Sequence, residues 1–329
     1  MRTVVTGATG LLGANLAAAL VNEGHEVVCT RRGSSRAEHL ADLPLSWVNA
    51  DLADEPALAR AFEGAELVFH CAAMVSVRLR VTPAIEDANV TGTGRVLRAA
   101  RDAGVRRVVH TSSTVCIGLA TGPPDADESA TWNYPEHGMD DAYSTTKLRS
   151  EALALAAAAA GQDVVVVNPG YMFGPRDTRP SSGKLLLELH RGVIPSLAPG
   201  VNSFVDVQDV VRGMLAAADK GRSGQRYILA GHNLSYADAL PMFASWIGCR
   251  APRLRLPAWL SAPLGWVGDV QERFSDAEPF INSSVLRYAY CDGFRSSSEK
   301  AKSELGYQIS PLEPAVRESF RWMKEHNVG

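Results

Sequence analysis

The sequence predicts an α/β protein: a doubly wound parallel sheet with a smaller C-terminal lobe. Short runs rich in valine recur through the first half and are apolar throughout rather than alternating, as strands covered on both faces must be. Helical patterns that stop on glycine separate these runs. Near residue 170 the texture changes, and Pro, Gly and Ser cluster in "PGYMFGPRDTRPSSG".

The elements follow in order. Strands are predicted at 3–6 (TVVT), 25–30 (HEVVCT), 45–50 (LSWVNA), 66–70 (ELVFH), 106–112 (RRVVHTS) and 163–168 (DVVVVN). Helices are predicted at 11–24, 55–64 and 82–104, the last with Thr82 as N-cap and Pro83 in its first turn. Strand–helix alternation with right-handed crossovers gives a parallel sheet. Residues 1–170 form this first domain and 171–329 mostly a lobe, with about 200–222 returning to the sheet. The lobe should hold a helix in "KLLLELHRG", a strand in "QRYILAG", a helix from Ser235 and a proline-studded stretch at 251–263. The crevice between lobe and sheet is the default ligand site.

Composition narrows the function classes. The chain has 329 residues, 46 % of them hydrophobic, and a net charge of −3 without a basic stripe, which argues against a nucleic-acid partner. Five cysteines without a CxxC pair read as reduced thiols, and eight histidines without HxxxH or HExxH spacing predict no metal site. The opening "MRTVVTGATG" does not read as a signal peptide. The longest apolar stretch, at 152–161, has about half the length of a membrane span. The expectation is a soluble cytoplasmic protein with no membrane partner.

Four constellations carry chemistry. In "VVTGATGLLG", Gly7, Gly10 and Gly13 lie between a strand and a helix, where a tight turn lets backbone approach a pyrophosphate at the helix N-terminus. After the second strand, "CTRRGSS" presents Arg31 and Arg32 and no acid, which suits the extra phosphate of NADP better than the bare ribose of NAD. In "NADL", Asp51 can accept from an adenine amine, with Leu52 against the ring, and "HCAA" ends the fourth strand in small residues. Finally, "HTSSTVCIG" ends the fifth strand, and "YSTTK" places Tyr143 and Lys147 at i and i+4 on one helix face.

Together, "TGATGLLG", "HCAA", "TSS", "YSTTK" and "NPGYMFGPRD" resemble the extended branch of the short-chain dehydrogenase/reductase superfamily, the NAD-dependent epimerase/dehydratase family. Within it the chain is similar to the dihydroflavonol-4-reductase-like group, down to the tail "SSSEKAKSELGYQISPLEPAVRESFRWM". The resemblance implies a Rossmann-type fold with Ser113, Tyr143 and Lys147 as catalytic residues. For the cofactor it implies Gly7, Thr9, Gly10, Leu11, Leu12 and Gly13 at the pyrophosphate turn. Arg31, Arg32, Asp51 and Leu52 would meet the adenosine end. Cys71, Ala72, Ala73 and Thr111 would line the strand ends, with Tyr143, Lys147, Pro169, Gly170 and Met172 toward the nicotinamide. Met74, Ser113, Tyr143 and Tyr171 would meet the substrate, and Asn89 would hold Lys147 through water. Ile117 replaces the tyrosine usual on the substrate side.

The implied reaction is reduction of a ketone or aldehyde with NADP(H), or its reverse, on a fairly apolar small molecule; NAD(H) is the less favoured cofactor. Lys147, one turn from Tyr143, should lower the phenol's proton affinity. The alternatives are a nucleotide-sugar epimerase or dehydratase that retains NAD, and a non-catalytic dinucleotide-sensing regulator. The arginines disfavour the first and the Tyr/Lys pair the second. Arg176 and Arg179 are candidates to meet an anionic group. Relatives of this kind pair helices into homodimers, although "RSEALALAAAAAG" fits a helix packed on its own sheet equally well.

Overall fold

The computed structural model describes residues 1–274 and 281–328. The first part runs β1 (Arg2–Thr6), α1 (Leu11–Asn22), β2 (Glu26–Arg31), β3 (Ser46–Asn49), α2 (Glu55–Phe62) and β4 (Leu67–His70). It continues with α3 (Pro83–Glu86), α4 (Gly92–Asp102), β5 (Arg107–Thr111), α5 (Ala142–Ala159) and β6 (Val164–Pro169). The second part is β7 (Tyr171–Phe173), α6 (Gly183–Arg191), β8 (Val201–Asp206), α7 (Val207–Lys220), β9 (Arg226–Leu229) and β10 (His232–Ser235). It ends with α8 (Tyr236–Ile247), α9 (Ala258–Phe274), α10 (Ser283–Tyr290), α11 (Glu299–Leu305) and α12 (Leu312–Glu325).

Seven strands form one sheet in the order β3-β2-β1-β4-β5-β6-β9, with every pairing parallel. The order reverses between β1 and β4, and in such sheets ligands bind beyond the carboxyl ends of the strands at that switch. Two apolar layers sandwich the sheet. On one side α1 and α7 pack through Leu16, Leu20, Val210 and Met214 against Val5, Phe69 and Val167. On the other, α2, α4 and α5 pack through Leu58, Phe62, Val96 and Ala154 against Val4, Val68 and Val166. This two-sided burial is why the strand runs are apolar at every position. The fold is therefore the Rossmann-type one expected.

The lobe has its own core around Phe173, Phe204 and Phe243, closed by α6, α8 and α12. A small sheet, β10-β8-β7, supports it. The part that returns to the main sheet is wider than 200–222. β9 adds the seventh strand beside β6, and α11 packs through Ala301 and Leu305 against α7. Tyr227, Leu229, Ala301 and Leu305 are buried in the core on that side of the sheet.

Two elements differ locally from the sequence reading. The helix predicted over 82–104 is broken into α3 and α4 by a π turn at Asp87–Thr91. The proline-studded stretch at 251–263 leads into α9, which carries Pro263 inside it. Pro263 is the sixth residue of the helix, past its first turn, so α9 gives up one i→i−4 hydrogen bond there.

Candidate active site

The turn between β1 and α1 is shaped by two contacts. Gly7 has φ 73°, and a Cβ there would lie 2.6 Å from the Ala72 nitrogen. A Cβ on Gly13 would meet the Gly7 carbonyl carbon at 2.7 Å. Gly10 caps α1, is exposed, and would meet only the Gly7 oxygen, at 3.5 Å. The start of α1 therefore opens outward with unpaired N–H groups, an arrangement that takes an anion. Leu11 and Leu12 turn their side chains into the core, so only their backbone faces the turn. The loop after β7 covers its flank: Asn15 Nδ2 donates to the Pro175 carbonyl (2.8 Å) and Thr178 to the Thr9 carbonyl (3.2 Å).

At the end of β2, the Arg31 guanidinium lies over the Trp47 ring, 5.3 Å from its centroid, and its Nε donates to Asn49 (3.3 Å). Arg32 is exposed. Asp51 is exposed and accepts from the Ala53 N–H (3.0 Å), while Leu52 packs beneath α4 at Gly92. Cys71, Ala72 and Ala73 lie past the end of β4, and the Thr111 hydroxyl donates to the Cys71 sulfur (3.5 Å).

The "TSS" serines divide their work. Ser112 is buried and donates to Cys116 Sγ (3.2 Å). Ser113 is partly exposed, and its hydroxyl lies close enough to the Tyr143 phenol to favour the ionised form. Tyr143 stands in the first turn of α5, which Asp141 caps by accepting from the Ser144 N–H (2.8 Å). Lys147, one turn on, is 3 % exposed and donates to the Thr111 carbonyl (2.7 Å).

The electrostatics differ from the expectation for an isolated Tyr/Lys pair. Burial dominates at Tyr143 and pushes its phenol up to about 12, with the Ser113 hydroxyl acting in the opposite direction. Lys147 does not lower it here, because the ammonium is drawn to Thr111. Burial lowers the Lys147 pKa itself, against the pull of Cys116, Glu151 and Cys71.

Three residues make contacts that the sequence reading did not include. Asn89 holds backbone: it accepts from Met74 N (2.7 Å) and donates to Met74 O (2.9 Å) and Thr146 (3.1 Å). Both its amide hydrogens are thus committed away from Lys147. Ile117 is 1 % exposed and packs with Ala126, Ile228 and Ala230 in a core cluster, off the substrate side. Tyr171 packs against Phe173 and Phe204, and its hydroxyl donates to the Ser182 carbonyl (3.2 Å). Pro169 ends β6, Gly170 passes 2.5 Å (from an added Cβ) beneath the Ser203 carbonyl, and Met172 packs on the main core. Arg176 is half-buried with φ 68° and lies near His39, whose pKa its charge helps to lower; Arg179 is exposed.

Sequence reasoning missed a buried polar layer under the site. Glu151 continues the Tyr143–Lys147 face by one more turn and is 2 % exposed. Its carboxylate accepts from Arg226 (3.0 Å) and from Asn168 (2.6 Å), whose amide also donates to the Ser113 carbonyl (2.9 Å). The i+8 spacing of "YSTTKLRSE" was the available signal. Behind Lys147, Thr6, His70, Thr93, Ser150 and His110 form a hydrogen-bonded chain across β1, β4, α4, α5 and β5.

A dinucleotide turn, a strand-end shelf and a Ser/Tyr/Lys cluster define the class: an enzyme of the extended short-chain dehydrogenase/reductase type. Comparison with known proteins agrees. Residues 3–230 match the NAD dependent epimerase/dehydratase family, and the chain belongs to it. It is 35 % identical to sterol demethylase protein B of Methylococcus capsulatus over 331 residues, 100 % of both chains. It is 31 % identical to the 4-hydroxy-2-methyl-3-oxo-4-farnesyl-3,4-dihydroquinoline-1-oxide ketoreductase of Stigmatella aurantiaca, covering 93 % of this chain and 92 % of that one. The crystal structure of gox2253 superposes with a TM-score of 0.85 at 31 % identity, over 99 % of this chain and 98 % of the other.

Two predictions follow from the buried layer. Burial holds His70 down at about 3 and His110 well below its usual value, both helped by the Lys147 charge. The folded state keeps them neutral while the unfolded chain takes protons near pH 6.5, so the stability they contribute at neutral pH is lost as the pH falls from about 6.5 toward 3. Between pH 7 and pH 5 this amounts to about 2 kcal/mol for His70. Urea unfolding at both pH values should show His70→Gln losing about that much less than wild type.

Glu151→Ala removes the carboxylate that pairs the Arg226 guanidinium, 21 % exposed, and one acceptor of the Asn168 amide. It should cost about 2–4 kcal/mol, the range for breaking a buried pair discounted for that exposure. Urea titration should show Glu151→Gln, which keeps an acceptor for Asn168, losing less.

Proposed function

We propose that the protein is an NADP(H)-dependent reductase of a ketone or aldehyde, or the dehydrogenase of the matching alcohol, acting on a fairly apolar small molecule. The observation that carries the reading is the Ser113 hydroxyl beside the Tyr143 phenol at the sheet's carboxyl edge, with the Lys147 ammonium buried one turn along α5. The residues fit a nicotinamide dinucleotide: the outward-opening turn at Gly10 suits a pyrophosphate, and small residues at 71–73 leave a shelf across the strand ends. When bound, the nicotinamide supplies or accepts the hydride.

The protein's own residues handle the oxygen. The Ser113 hydroxyl is placed to donate to a carbonyl oxygen beside Tyr143. With burial holding it at about 12, the Tyr143 phenol is fully protonated at neutral pH, which suits a donor to the developing alkoxide. Lys147 keeps its ammonium on the Thr111 carbonyl, one helical turn from the phenol, and proton transfer leaves Tyr143 as the phenolate. In the reverse direction the same phenolate takes the alcohol proton. The ketoreductase among the relatives, 31 % identical over nearly the whole chain, supports this reading over an epimerase or dehydratase.

The choice of NADP(H) rests on Arg31 and Arg32. Arginine matches phosphate oxygens with a planar fork and stays charged at all working pH values. Arg31 is held in place by Trp47 and Asn49.

Tyr143→Phe should lower turnover by about 10²–10⁴-fold while dinucleotide affinity stays within a few-fold, since the phenol supplies the proton and little of the cofactor contact. A panel of aldehydes and ketones with NADPH, followed at the nicotinamide absorbance, provides the assay. A variant with more than about a tenth of the wild-type rate removes Tyr143 from this role.

For the cofactor, one or two charged hydrogen bonds discounted for exposure contribute about 2–3 kcal/mol, roughly thirty- to two-hundred-fold in favour of NADPH. The check is kcat/KM for both cofactors in wild type and in Arg31→Ala/Arg32→Ala. The double variant should lose most of the preference and keep its NADH activity. Equal wild-type values, or a dinucleotide that stays bound through purification, favour the NAD-retaining epimerase instead.

A further inference from the structure

Among the described residues, half of the exposed large apolar side chains fall within 254–274: Leu254, Trp259, Leu260, Trp266, Val267 and Phe274. Trp259 is 72 % exposed, Trp266 68 % and Phe274 86 %. On α9 this exposure is ordered. At 100° per residue, Trp259, Trp266, Val267 and Phe274 share one arc of about 100°. The opposite face carries Gly265, Gly268, Asp269 and Glu272, and that face meets the protein. A Cβ at Gly265 would lie 3.1 Å from the Ser283 Cα, and one at Gly268 would run into the Ile281 carbonyl. Asp269 accepts from the Ser283 N–H (2.8 Å). Glu272 accepts from the Leu79 N–H (3.0 Å) and faces Arg78 (3.8 Å). The helix is thus inverted, with its polar and small residues packed inward and its aromatic residues in water.

Among the described residues, the exposed charges that flank this face along the chain are arginines. Arg250, Arg253 and Arg255 lead into α9 and Arg273 lies in its last turn, all exposed. Residues 250–268 contain no carboxylate, and both carboxylates of α9 point inward. On a chain of net charge −3 this is a local cationic, aromatic surface.

We propose that α9 and the segment leading into it dock the protein on an anionic lipid bilayer. An apolar helix face rich in tryptophan, flanked by arginines, is the composition that lies in a headgroup region. A second copy of the chain fits less well, because a two-fold contact sets the same patch of each copy together and brings arginines against arginines. The sequence expectation of no membrane partner rested on span length. No helix among the described residues is long and apolar enough to cross a membrane, and an interfacial helix needs no such length.

The test is flotation of the purified full chain with vesicles of phosphatidylcholine alone or mixed equally with phosphatidylglycerol, at low salt, together with tryptophan emission. Wild type should float with the mixed vesicles, with blue-shifted emission, and bind phosphatidylcholine alone at least tenfold more weakly. Arg253→Glu/Arg255→Glu should weaken binding by at least tenfold, since each arginine near such a surface contributes on the order of fivefold. Trp259→Ser/Trp266→Ser should abolish both flotation and the shift. All four positions are exposed, and an unchanged thermal transition verifies that the variants fold. Wild type that stays in solution with the mixed vesicles overturns the proposal. So does binding that survives both double variants, and so does a dimer in light scattering that Trp259→Ser/Trp266→Ser dissociates. None of these readouts depends on catalysis, so they stand or fall apart from the reductase reading.

Discussion

A single ammonium, buried at the end of β5, adds to burial in holding the histidines behind it neutral. Burial lowers the Lys147 pKa, while the Thr111 carbonyl that accepts its hydrogen bond and the Glu151 carboxylate one turn away favour the charged form. The Lys147 charge, added to burial, keeps His70 and His110 neutral, so the two imidazoles serve as hydrogen-bonding groups. Glu151 in turn is neutralised by Arg226, which reaches in from β9. The seventh strand, added by a segment well past the first domain, is thereby tied to the charge balance beneath the Ser113–Tyr143 pair. This layer is mostly charged or hydrogen-bonded in pairs, as a buried polar network must be to avoid the cost of unpaired groups.

Much of this was legible in the sequence. The strand runs in the first half match β1 to β6 within a residue or so at each end, because two-sided burial leaves an uninterrupted apolar signal. The turn at Gly7 was legible because no side chain fits beside Ala72. Ser113 and Tyr143 were paired from spacing and resemblance, and the structure brings their hydroxyls together. Local rules suffice where a residue's role is decided by its immediate neighbours in the chain.

The rest depended on partners distant in sequence. Glu151 and Arg226 are 75 residues apart, and neither alone reads as more than a helix-face or strand-end charge. Asn89 was given to Lys147 by analogy, but its amide closes onto the Met74 backbone, 15 residues away. Ile117 was placed facing the substrate, whereas the return of β9 brings Ile228 and Ala230 over it. The inversion of α9 is invisible to any pattern rule, since an apolar stripe is ordinarily read as the inward face.

The π turn at Asp87–Thr91 has a genetic consequence. Its wider winding accommodates one residue more than an α-helix would, and Asn89 lies within it while Thr93 follows just beyond. Loss of one codon there would change no other residue in the chain. A regular helix across the gap would turn through nearly the same angle with one residue fewer, so Thr93 would keep its place beside His70 and Ser150, and α4 its register with α5. Single-residue deletions in this segment that spare Asn89 should therefore be better tolerated than deletions elsewhere along α4 or α5, where nothing absorbs the lost turn of about 100°.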